Sequence, residues 1–204
     1  AWVAFFLFSA IGLRASSPAG VYADCGAECS CTINPEALRE GAQRGGIPAI
    51  TDPKIARAGS DEAEQISDDT RVLALLVEGT QFAVPRTILD DFEVLNLDED
   101  EWGGGNIVVT FCPLTRSSLA FDREAVNGNE FAVSGLLLNN NLIMVDDQEG
   151  ESLWPQMSRR AVCGDKAGVQ LPMVPLIDLK WGHWRQLYPE TRIVVGVRET
   201  MADG

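Results

Sequence analysis

The sequence predicts a β-rich α+β fold, in which a single domain of many short antiparallel strands carries peripheral helices. Short apolar runs alternate with turns that contain glycine, asparagine or proline over most of the chain, as expected of short buried strands. Only brief segments carry helix-capping residues or apolar residues at helical spacing. The length of 204 residues and the ordinary proportion of hydrophobic residues, 46%, are those of one globular domain.

The N-terminal segment, residues 1–13, is apolar and uncharged and is followed by Arg14 and a tract of small residues. Two interpretations are open: a cleavable secretory signal, or a retained hydrophobic anchor helix over residues 1–20. We favour the anchor, and either interpretation places the domain on the periplasmic, extracytoplasmic side. The residues expected to contact the bilayer or a membrane partner are Trp2, Phe5, Phe6, Phe8, Ile11 and Leu13.

Residues 21–45 are predicted to be a cysteine-containing linker with a short helix, and residues 46–204 the globular domain. Cys25, Cys29 and Cys31 have a spacing that fits no usual zinc or iron-sulfur site, so no metal is expected there. In an exported chain, a disulfide within this cluster is expected, with one thiol left for another partner.

The first half of the chain contains signals for helices and for one hairpin. Proline after a capping residue predicts short helices over 34–41 and 52–58, and 59–70 is expected to be a surface loop or a frayed helix. An apolar run at 72–77 and a second run at 81–85 predict a hairpin, followed by one or two helical turns over 86–91. The acidic, glycine-rich stretch 97–105 lacks the ligand pattern of a calcium loop and is expected to be a solvated turn.

The stretch 106–147 is expected to hold the functional site. An apolar run that ends at Cys112-Pro113 and a second run after it predict two buried strands joined by a tight corner. Asn127-Gly128 predicts a hairpin, and the apolar segments of 131–146 are expected to be strands broken at Gly135 and at an asparagine triplet. Further on, 176–188 is predicted to be a helix and 192–195 a closing strand.

The charge balance excludes some partners. Thirty acidic and sixteen basic residues give a net charge of −14, which repels nucleic acid and anionic lipid headgroups. Nucleic-acid binding is therefore not expected, and a protein partner is expected to present a neutral or basic surface.

From Gly46 to about Val195 the chain resembles the bacterial and archaeal family catalogued as domain of unknown function 3179. The resemblance rests on ordered blocks of sequence: Gly46-Ile47-Pro48-Ala49-Ile50-Thr51-Asp52-Pro53-Lys54, Thr110-Phe111-Cys112-Pro113-Leu114, Ser117-Ser118-Leu119-Ala120-Phe121-Asp122, Val133-Ser134-Gly135-Leu136-Leu137, Asn139-Asn140-Asn141-Leu142-Ile143-Met144, Ser152-Leu153-Trp154-Pro155-Gln156, and Trp184 with Tyr188-Pro189-Glu190-Thr191. It implies a thiol or metal site, since members carry a Cys-Pro-Leu-Cys corner and an earlier Trp-His-Glu segment.

This sequence departs from the family at both places. Thr115 stands where the second cysteine is expected, and Asp91-Phe92-Glu93 stands where Trp-His-Glu is expected. Dithiol exchange needs two sulfurs, and a soft-metal site needs thiolate or imidazole ligands. We therefore interpret Cys112, Thr115, Arg116 and Phe92 as a vestigial site without metal or cofactor. Phe92 is expected to contact the corner, and Arg116 to bind an anion or to pair with Asp122 or Glu93.

Two functional hypotheses follow from these residues. The leading one is a non-catalytic accessory subunit of a membrane protein complex, such as a photosynthetic or respiratory assembly, anchored by its N-terminal segment. In it, Trp102 in the glycine-rich loop is the best candidate for an exposed aromatic anchor for a partner, the alternative being that it folds back onto the sheet. The alternative is an exported thiol-redox, metal-binding or cofactor-binding domain centred on Cys112. His183, the single histidine, is expected to lie on a helix face rather than to act as a base.

Overall fold

A computed structural model describes residues 30–146 and 151–198 of the chain. These residues form a β-rich α+β domain with three sheets and a few short helices. The predicted anchor helix, Cys25 and Cys29 lie outside the described residues. Within the described residues, no helix is both long enough and apolar enough to cross a bilayer.

The strands, in chain order, are β1 (Leu38–Glu40), β2 (Pro53–Arg57), β3 (Arg71–Val77), β4 (Thr80–Pro85), β5 (Val94–Leu97), β6 (Ile107–Cys112), β7 (Ser117–Asp122), β8 (Phe131–Leu138), β9 (Asn141–Asp146), β10 (Leu153–Pro155), β11 (Met173–Val174), β12 (Leu176–Lys180) and β13 (Arg192–Val197). The α-helices are α1 (Asp61–Glu64), α2 (Arg86–Phe92), α3 (Glu99–Trp102) and α4 (Trp181–Leu187). Single 3₁₀ turns span Pro35–Ala37, Glu124–Val126 and Gln156–Ser158.

The strands pair in the orders β1-β8-β9-β10, β11-β7-β6-β5 and β12-β3-β4-β13-β2. All pairs are antiparallel except β13 with β4, which is parallel. The predicted hairpin of β3 and β4, the helical turns of α2 and the closing strand β13 are confirmed. Gly135 does not break β8: it has a φ of +79° within the strand, and the β8–β9 register shifts there.

The strand β6 lies between two apolar clusters, and this explains why its sequence is apolar without alternation. Ile107, Val109 and Phe111 belong to the cluster that includes Phe82 and Trp102. Val108 and Cys112 belong to the cluster that includes Trp154. Successive side chains of a strand point to opposite faces, so a strand buried on both faces reads as one continuous apolar run. The end of β6 is therefore fixed from both sides.

Two predicted helices are wrong because sheet pairing overrides local capping signals. Within the predicted helix 52–58, residues 53–57 form β2, an edge strand paired with β13, and an edge position tolerates the missing N–H of Pro53. Residues 176–180 form β12 rather than the first turns of a helix, and α4 begins only at Trp181. Asn34 does cap a helical turn as predicted, but that turn ends at Ala37 and β1 follows.

The predicted hairpin at Asn127-Gly128 is also wrong. Both residues have positive φ, 56° and 78°, as such a turn requires, yet they follow a 3₁₀ turn and connect β7 of one sheet to β8 of another. Dipeptide chemistry specifies a reversal of the chain, not which strands pair across it. The tight hairpin lies at Asn139-Asn140 instead, where both residues have positive φ between β8 and β9.

Trp102 is buried, so the prediction that it is an exposed partner anchor is wrong. The acidic stretch folds into α3, which Asp98 and Glu101 cap reciprocally. This helix turns the indole inward, where it is 0% exposed, packs edge-on against Phe82 and donates from Nε1 to the Gly105 carbonyl at 2.7 Å. Trp102 is a core residue.

A disulfide joins Cys31 to Cys163. Cys31 is thus the thiol of the N-terminal cluster that pairs elsewhere, and a bond between Cys25 and Cys29 stays a prediction. The disulfide fixes the start of the described chain to the segment that follows β10.

Candidate functional site

The corner between β6 and β7 consists of residues 113–116 and reverses the chain in one turn. Arg116 takes a φ of +55° at its last position. Its guanidinium lies 5.9 Å from the centre of the Phe111 ring, and that of Arg86 lies 5.5 Å from the same ring. Neither of the ion pairs predicted for Arg116, with Asp122 or with Glu93, occurs among the described residues.

Cys112 ends β6 and is 1% exposed. Its Sγ lies 3.9 Å from the backbone oxygen of Asn140, in the loop that joins β8 to β9. The rest of its surroundings is the apolar cluster that contains Val108 and Trp154. A thiol that is withdrawn from water and surrounded by apolar groups is poorly placed to act as a nucleophile or to bind a solvent ion.

Thr115 stands at the second-cysteine position, and its hydroxyl takes part in a polar network. Thr115 Oγ1 lies 2.8 Å from Ser117 Oγ and accepts a hydrogen bond from Asn141 Nδ2 at 3.0 Å. Asn141 Nδ2 also lies 3.0 Å from Ser117 Oγ and 2.8 Å from Gln156 Oε1. The hydroxyl at this position therefore joins the corner to β9.

Gln156 is the centre of this network and is 0% exposed. Its Oε1 accepts from Ser117 Oγ at 2.6 Å, while its Nε2 donates to Thr110 Oγ1 at 2.8 Å and to the Ser117 carbonyl at 3.2 Å. The backbone N–H of Met157 in turn donates to Asn141 Oδ1 at 3.2 Å. Each polar atom of the two buried amides has a partner, as a stable buried network requires.

A cavity of about 290 Å³ lies beside the corner. Pro113 and Leu114 line it together with Asp90 and Glu93, from the end of α2 and the residue that follows it. Phe92, between these two acids, is half-buried and packs on the cluster that contains Phe111. The predicted contact between Phe92 and the corner itself stays a prediction.

Glu93 has an unusual backbone and an unfavourable environment. It follows α2 with a φ of 61° and a ψ of −34°, outside the regions that side chains with a Cβ normally occupy. Its side chain is half-buried, and burial raises the pKa of its carboxyl above the ordinary value. The residue is anchored by its backbone, since its carbonyl accepts from Phe111 N–H at 2.8 Å.

A comparison with family models identifies the family to which the chain belongs. The model described as "Protein of unknown function (DUF3179)" matches residues 44–202. The chain belongs to the DUF3179 family. No curated protein and no solved structure matches the chain.

Within this DUF3179 domain, the structure brings together only some of the residues predicted from the sequence. Cys112, Thr115 and Arg116 lie at one corner, and Glu93 lies across the cavity from it. His183 lies exposed on α4, as predicted. In the part of the chain that the structure describes, no group of three or more His, Cys, Asp or Glu residues is arranged to hold a metal ion.

The roles of Asn141 and Gln156 were not predicted from the sequence. Both lie in blocks that carry the family resemblance, and both place an amide directly beside a buried apolar segment. A buried amide must find hydrogen-bond partners, so an amide in such a position indicates a polar network. The sequence therefore contained a signal for a network at Asn141 and Gln156, but it could not identify their hydrogen-bond partners.

Proposed function

We propose that this protein is a non-catalytic accessory subunit of a membrane protein complex, for instance a photosynthetic or respiratory one. In this proposal the N-terminal segment tethers it to the membrane, and the DUF3179 domain lies on the extracytoplasmic side. The observation that carries the proposal is the state of the corner. The thiol of Cys112, at the start of the corner, is buried among apolar side chains. The hydroxyl of Thr115, at the position of the family's second cysteine, is engaged in a structural network.

The corner is better suited to holding sheets together than to chemistry. The network joins β6 and β7 of one sheet to β9 of another and to the turn after β10. A dithiol reaction lacks its second sulfur here, and a thiol–imidazole pair lacks its base, because His183 lies exposed on α4 while Cys112 is buried. The corner keeps one cysteine but has Thr115 and Phe92 at the positions of the family's second cysteine and histidine, which favours a role through contacts.

Thiol titration together with metal analysis tests the proposal. In a full-length Cys25→Ser/Cys29→Ser variant kept oxidised, Cys112 is the remaining thiol, since Cys31 and Cys163 are bonded. We expect a thiol reagent to react with the folded protein at least ~100-fold more slowly than with the unfolded protein, because the sulfur is buried. The purified protein is expected to carry no stoichiometric metal or haem.

The same variant with Cys112→Ala added is the control, and it should show no reactive thiol in either state. Rapid reaction of the folded protein would contradict the proposal. So would a metal or cofactor that purifies with the protein and is lost on Cys112→Ala, because either result favours a redox or ligand-binding domain centred on Cys112.

A further inference from the structure

The cavity beside the corner has walls of two kinds. Pro113 and Leu114 from the corner and Leu136 and Leu137 from β8 contribute apolar surface. Leu114 is 66% exposed, so the apolar surface continues outward to the rim. At about 290 Å³ the cavity is slightly smaller than the ~300–1,000 Å³ range of ligand pockets. Its size suits one long side chain better than an extended ligand.

The rest of the lining includes two acidic side chains. Asp90 and Glu93 both line the cavity, and no lysine or arginine is found among its described lining residues. Neither acid forms an ion pair within residues 30–146 and 151–198. The cavity therefore combines apolar surface with two carboxylates that have no cationic partner in the described chain.

Glu93 at this position destabilises the folded protein. Its positive φ is unfavourable for a residue with a Cβ, and half-burial without a cation disfavours its charge. Unfavourable backbone angles and buried charges without a partner tend to occur in proteins at functional sites. A cation brought in from outside would remove the electrostatic part of this cost.

We propose that the cavity receives the side chain of a lysine or arginine from a protein partner. The aliphatic stem of such a residue packs on apolar surface while its charged head pairs with a carboxylate, which matches the two kinds of wall. The net charge of −14 favours the approach of a basic partner. In assuming that the partner is a protein, this inference rests on the proposed accessory function.

Peptide binding to the full-length protein in detergent tests the inference. The probe is acetyl-Leu-Lys-Leu-amide, and the matched probe replaces lysine with norleucine, which keeps the stem and removes the charge. We expect the lysine peptide to bind at least ~10-fold more tightly, with amide NMR shifts concentrated at Pro113–Leu114, Leu136–Leu137 and Glu93. Glu93→Gln and, separately, Asp90→Asn should reduce this preference.

Glu78→Gln is the matched control, because Glu78 is also a glutamate with positive φ, 50°, but lies exposed in the β3–β4 turn. It should leave the preference unchanged. The inference is overturned if lysine and norleucine peptides bind equally, if the preference survives both variants at the cavity, or if the shifts map elsewhere. These outcomes concern the cavity alone, whereas the thiol and metal measurements concern the corner, so the two proposals fail separately.

Discussion

At the scale of single residues, Glu93 gives the clearest pH dependence. Burial raises the pKa of its carboxyl above 4.5, so the folded state binds this proton more tightly than the unfolded state does. The free energy of unfolding therefore falls as pH rises from about the unfolded pKa through the raised folded one. At neutral pH the charged carboxyl destabilises the fold.

Replacing Glu93 with glutamine is expected to raise the free energy of unfolding at pH 7, because the amide keeps the shape and removes the buried charge. The gain should vanish below about pH 4, where glutamate is protonated in both states. Denaturant unfolding at several pH values measures it, with Glu78→Gln as the comparison at an exposed glutamate of positive φ. A variant less stable at pH 7 than the native protein would contradict the stated role of burial.

At the scale of elements, the hydrogen-bond network at the corner links strands of two sheets. Gln156 links Thr110 on β6 with Ser117 on β7 and Asn141 on β9. Replacing its amide with an apolar group removes the hydrogen bonds to these three residues in a buried setting, where water cannot take their place. The effect should exceed that of a surface glutamine by a wide margin.

We expect Gln156→Leu to lower the free energy of unfolding by about 2–4 kcal/mol, the range for breaking a buried hydrogen-bond network. Gln186→Leu is the control, since Gln186 lies exposed on α4, and it should change stability by less than ~0.5 kcal/mol. Urea unfolding compares the two. Equal effects would mean that the network contributes little, and the structural account of the corner would then be wrong.

The comparison of sequence with structure is also most informative at the scale of elements. The β3–β4 hairpin and β13 were predictable because apolar periodicity and turn residues agree there. The strands β2 and β12 were not, because each lies at a sheet edge and is specified by a distant partner, β13 or β3. The burial of Trp102 was also not predicted. The glycines that follow it indicate an exposed loop, whereas the capping box of α3 forms a helix that turns the indole inward.

The candidate site was predictable in position but not in detail. The Cys-Pro corner indicated where the site lies, and the family resemblance indicated that Phe92 belongs to it, whereas Glu93 was considered only as an ion-pair partner of Arg116. The cavity itself could not be predicted, because it forms between α2, the corner and β8, which are far apart in sequence. Nor could the pairing of Cys31 with Cys163, across 132 residues, be chosen from spacing alone.

At the scale of the whole molecule, the domain has its own core and disulfide, while the proposed tether lies in residues 1–20. The described residues form apolar clusters on both faces of β6, and the disulfide fixes the chain from Cys31 onward. A domain with its own core is expected to remain folded when a segment outside it is removed. Tethering and folding are thus separable by experiment.

The most direct test of the accessory role compares the full chain with a variant in which a cleavable secretory signal replaces residues 1–20, so that both are exported in the native host with the same C-terminal tag. We expect the full chain to sediment with membranes and to elute after detergent extraction with a larger assembly. The shortened chain should appear as a soluble, folded monomer with a cooperative thermal transition. A full chain that elutes alone, or a shortened chain that stays bound to membranes at unchanged strength, would contradict the account.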